Sequence, residues 1–188
     1  MEETPDKHLI PPRNEADVRE LKTGDRVLIT GTIYTARDAA HRRMAELIGQ
    51  GKDLPVELAG QIIYYVGPTP SSPGRPTGSA GPTTSSRMDR YTPAILSRGP
   101  RALIGKGDRS DEVAAALRER GAIYLAAVGG AGALLAQSIK AAEPVAWAEL
   151  GAEAVYRLEV EDFPAIVVID LHGGNLYCEG RGSYRRQV

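Results

Sequence analysis

The stretch from Gly67 to Pro82, GPTPSSPGRPTGSAGP, constrains this chain more than any other, because fourteen of its sixteen residues are Gly, Pro, Ser or Thr. Proline removes a backbone donor and glycine spreads the accessible φ/ψ, so neither a helix nor a strand can propagate through it. Whatever fold forms must interrupt itself here. A flexible linker between two domains has such a composition. So does a loop that folds over a ligand, the usual role of a long irregular segment inside a compact domain. The chain alternates strand and helix in one style on both sides, which favours a loop within one domain.

Upstream, Arg26–Ile33 is a β-branched run and predicts a strand. Ala40, Met44, Leu47 and Ile48 then line one face of a helix, with Thr35 as its N-cap, Arg37 and Asp38 in its first turn, and Gly49 and Gly51 as its stop. Residues 61–66, QIIYYV, form the second strand. After the loop the pattern predicts a helix over Met88–Leu96 limited by Pro93, then a short strand at Ala102–Gly105. A helix Asp111–Arg120 follows, capped by Ser110 and ended by Gly121, and then a strand over 122–128. Gly129–Gly132 opens a helix running through Leu134, Leu135 and Ile139, and two further strands fall at 155–160 and 165–170. The alternation predicts an α/β domain with a substantially parallel core, and the helix-poor end predicts a mixed sheet. Residues 1–20 read as an extended arm, 21–178 as one domain with an active-site loop at 67–82, and 179–188 as a mobile basic tail.

Composition removes several function classes. With 188 residues, 23 basic and 24 acidic side chains and a net charge of −1, the chain has no field for binding nucleic acid through phosphates. Trp147 and Phe163 are each the single residue of their kind, so a stacking platform for single strands is also missing. One cysteine excludes an internal disulfide and an iron–sulfur cluster ligated by this chain alone. No stretch approaches the ~20 apolar residues that span a bilayer, and residues 1–17 have no apolar signal core. A cytoplasmic protein with no membrane partner is expected.

Two glycine motifs fail on inspection. Gly99 to Gly105-Lys106 has five residues between its glycines where a phosphate loop has four, and Gly107 replaces the Ser or Thr that would hold magnesium. Gly130-Ala-Gly132 follows a strand, but Leu135 stands where a dinucleotide fingerprint needs its third small residue. His8, His41 and His172 are far apart and predict no metal site. His41 falls one turn after Arg37, bordering a site at most. Cys178 reads as a small buried residue. What remains is GPTTSSRMD, residues 81–89, where hydroxyls precede Arg87. A guanidinium grips a carboxylate through a planar fork. Lys106, held between two glycines, adds a second cation and Arg37 a third. Three cations with hydroxyls describe a site for a small dianion.

The motif at residues 81–89, with TARDAAH at 35–41 and IGKG at 104–107, resembles the class I fumarase family. The likeness runs from about Gly24 to Gly174 and is narrower toward the β subunit of two-subunit members, including the L-tartrate dehydratase β subunit. It implies a swivelling β/β/α domain and a lyase that reversibly hydrates fumarate to (S)-malate. A [4Fe-4S] cluster would be ligated by three cysteines of a partner α subunit and not by this chain. Residue by residue, the resemblance makes Arg37, Arg87 and Lys106 the cations on the substrate carboxylates. It makes Thr83 the candidate base at C3, with Lys106 beside it in catalysis and a carboxylate from the α subunit activating the threonine. The other readings are a tartrate dehydratase subunit and a non-catalytic, anion-binding regulatory module.

Overall fold

The computed structural model describes residues 6–11 and 14–184. The apolar runs become strands β1 (Lys7–Leu9), β2 (Arg26–Thr35), β3 (Ile62–Tyr64), β4 (Ala102–Gly105) and β5 (Ile123–Ala126). Each is parallel to the next. Parallel neighbours need crossovers. These carry α1 (Ala16–Arg19), α2 (Asp38–Gly49), α3 (Thr92–Leu96) and α4 (Asp111–Arg120). The fold is therefore α/β with a mixed, partly parallel sheet, as expected. Helix α4 is bounded as its sequence predicts: Ser110 Oγ accepts from the Val113 amide at 3.3 Å, and Gly121 adopts the left-handed conformation at φ 63°.

The C-terminal third departs from the pattern. The helix opened by Gly129–Gly132 is one short turn, α5 (Gly132–Leu135), and Ile139 begins strand β6 (Ile139–Ala146) instead of facing inward from a helix. The two strands expected at 155–160 and 165–170 are one, β7 (Val155–Ile169). Asp162, at φ 48°, absorbs the irregularity in mid-strand without ending it. Helix α6 (Leu176–Tyr184) occupies much of the segment read as a tail, whose last four residues lie outside the described ones. The segment read as an extended arm contains β1 and α1, and its residues 1–5, 12 and 13 also lie outside.

β7 closes the sheet on itself. One edge runs antiparallel along β2, from Arg26↔Ile166 to Tyr34↔Arg157. The other edge pairs with β6 over its first half and with β5 over its second. β2, β3, β4, β5 and β7 thus form a continuous hydrogen-bonded ring. Strand alternation divides the apolar side chains between two cores. Ile62, Tyr64, Ile104, Ile123, Leu125 and Phe163 belong to the first. Ile63, Tyr65, Leu103 and Tyr124, one residue out of phase, join Met44 of α2, Ile95 of α3 and Leu117 of α4 in the second. The carboxyl ends of β2 to β5 lie together at one end of the sheet, where open α/β folds place their ligands. Thr35, Tyr64, Gly105 and Ala126 mark that end.

Candidate active site

Every residue singled out for anion binding follows one of those strand ends. Arg37 follows β2, the 81–89 segment follows β3, Lys106 follows β4, and Gly129 follows β5. The turn after β2 is built differently from its sequence pattern. Thr35 is the buried last residue of β2, not a cap: its Oγ1 donates to the Ala154 carbonyl and accepts from the Tyr156 amide at 2.9 Å. Arg37 takes the N-cap position, and Asp38 is the first residue of α2. The capping oxygen comes from 114 residues away, where Glu153 Oε2 accepts from the Ala39 amide at 2.7 Å. A carboxylate suits the positive end of the helix dipole. Nothing local in the sequence announces Glu153, because its capping partner is distant.

Asp38 organises the arginines. Its Oδ1 and Oδ2 each lie 2.9 Å from Nε and Nη2 of Arg87, and Oδ2 also accepts from Nε of Arg37 at 3.1 Å. Arg37 reaches Glu153 as well, at 3.4 Å. Burial favours the neutral Asp38 acid, but its backbone amide and the two guanidiniums outweigh this and hold the carboxyl below its usual range. Arg87 belongs to a 3₁₀ turn, Ser85–Met88, and its Nη2 also donates to Thr83 Oγ1. Gly67 makes room for this group: a Cβ there would stand 2.8 Å from the Ala152 carbonyl and 3.0 Å from two atoms of Arg37.

Lys106 is joined to the same group through its backbone. Its amide donates to Ser85 Oγ at 3.1 Å, its carbonyl accepts from the Ser85 amide at 2.9 Å, and it forms a parallel bridge with Thr84. Gly105 must be glycine here, since a Cβ would stand 1.9 Å from Ser85 Oγ. The Lys106 side chain lies over Gly129, where a Cβ would meet its Cδ at 3.3 Å. Its ammonium has no ion pair among the described residues. The structure therefore joins Arg37 and Arg87 directly through Asp38, adds Thr83 through Arg87, and ties the Lys106 backbone to Ser85 of the same turn.

The Gly/Pro-rich segment is a folded loop. Thr69 and Ser79 pair across it at 2.9 Å, Val66 bridges Pro82, and the buried Tyr64 hydroxyl donates to the Ala80 carbonyl at 2.6 Å. Its return limb lies against α5: the Ala80 amide donates to the Gly132 carbonyl, and a Cβ on Gly132 would stand 2.8 Å from the Gly81 nitrogen. Gly129 and Gly132 thus serve close chain packing, against Lys106 and Gly81, and Gly130 supplies a positive φ of 84°. His41 is fully buried beneath the site, edge-on to Tyr65 at 4.8 Å, with Nδ1 3.3 Å from the Arg37 carbonyl. Burial, and next the nearby Arg109 charge, push its pKa down to about 3. Cys178, expected to be buried, is exposed on α6. Among the described residues no group of three His, Cys, Asp or Glu side chains could hold a metal, and no helix is long and apolar enough to cross a membrane.

The family model described as "Fumarase C-terminus" matches residues 6–180. The anaerobic class I fumarate hydratase of Escherichia coli is 43% identical over 164 residues, which cover 86% of this chain and 30% of that protein. The mitochondrial fumarate hydratase 1 of Leishmania major is 44% identical over 154 residues, covering 81% and 28%. The chain therefore spans less than a third of the length of these fumarate hydratases. A Methanocaldococcus jannaschii protein, provisionally named L(+)-tartrate dehydratase subunit beta, is 41% identical over 169 residues and is covered for 87% of both lengths. With residues 6–180 matched from β1 to α6, this chain belongs to the fumarase C-terminus family.

Proposed function

We propose that this chain is the carboxylate-gripping half of a two-part hydro-lyase active site, acting on fumarate and (S)-malate. The observation that carries the reading is the junction of Arg37 and Arg87 on Asp38 and of Thr83 on Arg87, with the Lys106 ammonium free of ion pairs among the described residues. In this reading the three cations bind the two substrate carboxylates, Arg87 through its planar fork and Lys106 as a point charge. Thr83 removes the proton from C3 of malate. A threonine hydroxyl is a weak base, and the hydrogen bond from Arg87 favours its alkoxide. The partner's carboxylate takes the hydroxyl proton. As the C3 proton leaves, charge builds on the adjoining carboxylate, where the guanidiniums and Lys106 stabilise it. In this reading the partner's side of the site receives the departing hydroxyl.

The resemblance calls for a [4Fe-4S] cluster, and the residues here do not fit one. Cluster ligation takes three or four thiolates, and the exposed Cys178 is the one cysteine of the chain. The cluster therefore belongs to a cysteine-bearing partner, an α subunit or an N-terminal portion. The swivelling-domain architecture suits such an arrangement, in which a separate body presents its loops to the partner's face.

A second reading, β subunit of an L-tartrate dehydratase, is favoured by the relative that matches this chain over 87% of both lengths. The deciding experiment is a substrate panel of fumarate, (S)-malate and the tartrate isomers on the chain assembled with its partner, with Thr83→Ala in parallel. Hydration of fumarate, lost by ~100-fold or more in Thr83→Ala, supports the first reading. Turnover of tartrate alone selects the second. Unchanged turnover in Thr83→Ala would leave the chain an anion-binding module.

A further inference from the structure

Beneath the site lies a charged group that anion binding does not use. The Arg109 side chain is fully buried, although it follows a surface turn. Its Nε donates to Asp89 Oδ1 and its Nη2 to Thr92 Oγ1, each at 2.7 Å. The guanidinium carbon lies 5.3 Å from the Tyr65 ring centre and 5.0 Å from that of Tyr124. Desolvating a cation is costly unless its hydrogen bonds and charge are met. A fold that buries one this deeply gains something from its fixed position.

Each partner of Arg109 leads to a different strand-end segment. Asp89 ends the turn that carries Arg87, and its second oxygen accepts from the Ser110 amide at 2.8 Å. Thr92 Oγ1 donates to the carbonyl of Met88, in that same turn. The Tyr124 hydroxyl lies 2.8 Å from Ser85 Oγ and 2.9 Å from the Gly107 carbonyl oxygen, so it touches the hydrogen-bond partner of the Lys106 amide and the residue that follows Lys106. His41 also packs against Tyr65, edge-on at 4.8 Å. The Arg37 carbonyl can only accept, so Nδ1 carries the imidazole proton and Nε2 is a bare lone pair. That Nε2 and Arg109 Nη1 are both buried, and neither has a hydrogen-bond partner among the described residues. One is an acceptor and the other a donor, and both flank the same tyrosine ring.

We propose that Arg109 is the positioning residue of the site: one buried guanidinium that fixes the relative placement of the segments bearing Arg37, Arg87 and Lys106. It touches no substrate. It acts by locking the 85–92 segment to the 105–110 segment through Asp89 and Tyr124, and by backing the Arg37 turn through His41. The kinetic consequence rests on the hydro-lyase reading, whereas the mechanical one does not.

Arg109→Lys keeps the charge and can still meet Asp89, but an ammonium cannot hold Asp89 and Thr92 in one plane. Asp89→Asn weakens the same joint from the other side. In both variants of the full chain, amide hydrogen exchange should accelerate ~10-fold or more at Lys106, Gly107 and Ser110, while β4 and β5 amides keep their protection. In the assembled enzyme, KM for the dicarboxylate should rise ~10-fold or more, with a smaller fall in kcat. Faster exchange spread evenly over the sheet with unchanged KM would make Arg109 merely a stabilising residue and overturn the proposal. Unchanged exchange at the three amides would overturn it as well. Local exchange effects in a protein that turns over no dicarboxylate would uphold the joint and sink the hydro-lyase reading instead.

Discussion

Asp38 grips Arg87 with both oxygens, each 2.9 Å from a guanidinium nitrogen, and so holds in advance the fork that a substrate carboxylate would need. The site is preorganised by a competitor for its own ligand. Asp38→Asn keeps the shape but removes the charge that orients Arg87 and Arg37. The expected outcome is a fall in kcat/KM of ~10-fold to 100-fold, read by steady-state kinetics on the assembled enzyme. An unchanged value would show that the arginines orient themselves.

Arg87 contacts both Asp38 and Thr83, so its loss removes a carboxylate clamp and the donor to the proposed base together. Arg87→Ala should lower kcat/KM by ~1000-fold while assembly, followed by gel filtration, is retained. Arg87→Lys should recover little, because a point charge cannot bridge two oxygens and a hydroxyl. Near-normal kcat/KM in Arg87→Ala would sink the functional assignment.

Two glycines, one at the site and one remote from it, differ in what a methyl group would meet. At Gly105 a Cβ would overlap Ser85 Oγ, while at Gly49, the last residue of α2, nothing lies within 4 Å. Gly105→Ala should destabilise by ~1–3 kcal/mol as Ser85 is pushed away from Lys106. Gly49→Ala should be neutral or stabilise by up to ~1 kcal/mol. Thermal unfolding of the two variants makes the comparison, and equal Tm values would contradict the packing described.

His41 predicts an acid sensitivity of the fold. Its folded pKa, about 3, lies below its unfolded value near ~6.5, so the unfolded chain binds the extra proton between them. Stability from this group is present above ~6.5 and is lost as pH falls toward the folded value, by up to ~1.4 kcal/mol per pH unit. His41→Phe keeps a ring against Tyr65 and removes the titration. Urea unfolding between pH 7 and pH 4 should show a shallower decline for the variant. Parallel declines would remove His41 from the account.

The parallel half of the fold and the grouping of Arg37, Thr83 and Arg87 as a candidate site were legible because both are written locally. Strand runs, the Ser110 cap and the glycine stops each sit within a few residues of what they determine. GPTTSSRMD likewise carries its hydroxyls and its cation in one segment. The misread parts depend on distant partners. Thr35 resembles a cap until Ala154 and Tyr156 of the β7 end claim its hydroxyl, and Glu153 takes over from outside the local pattern. Arg109, in a polar turn, has the sequence signature of a solvated charge, and its burial follows from Asp89, Tyr65 and Tyr124 converging from three segments. Ile139 satisfies a helical spacing, yet pairing of β6 with β7 decides its conformation.

The pairing of β2 with β7 also sets the electrostatics by whole-residue steps. Arg37 leaves β2 three residues after Tyr34, and Glu153 enters four residues before Arg157, the rung opposite. Their ion pair is therefore counted off from the register, and a slip of one rung would carry Glu153 ~3.3 Å along the strand and turn the flanking side chains to opposite faces. Insertions near these strand ends would change the charge pattern by integers, whereas loop tips farther out can vary continuously. Relatives that keep the spacing from this rung to both residues inherit the ion pair with the sheet, whatever their loops have become.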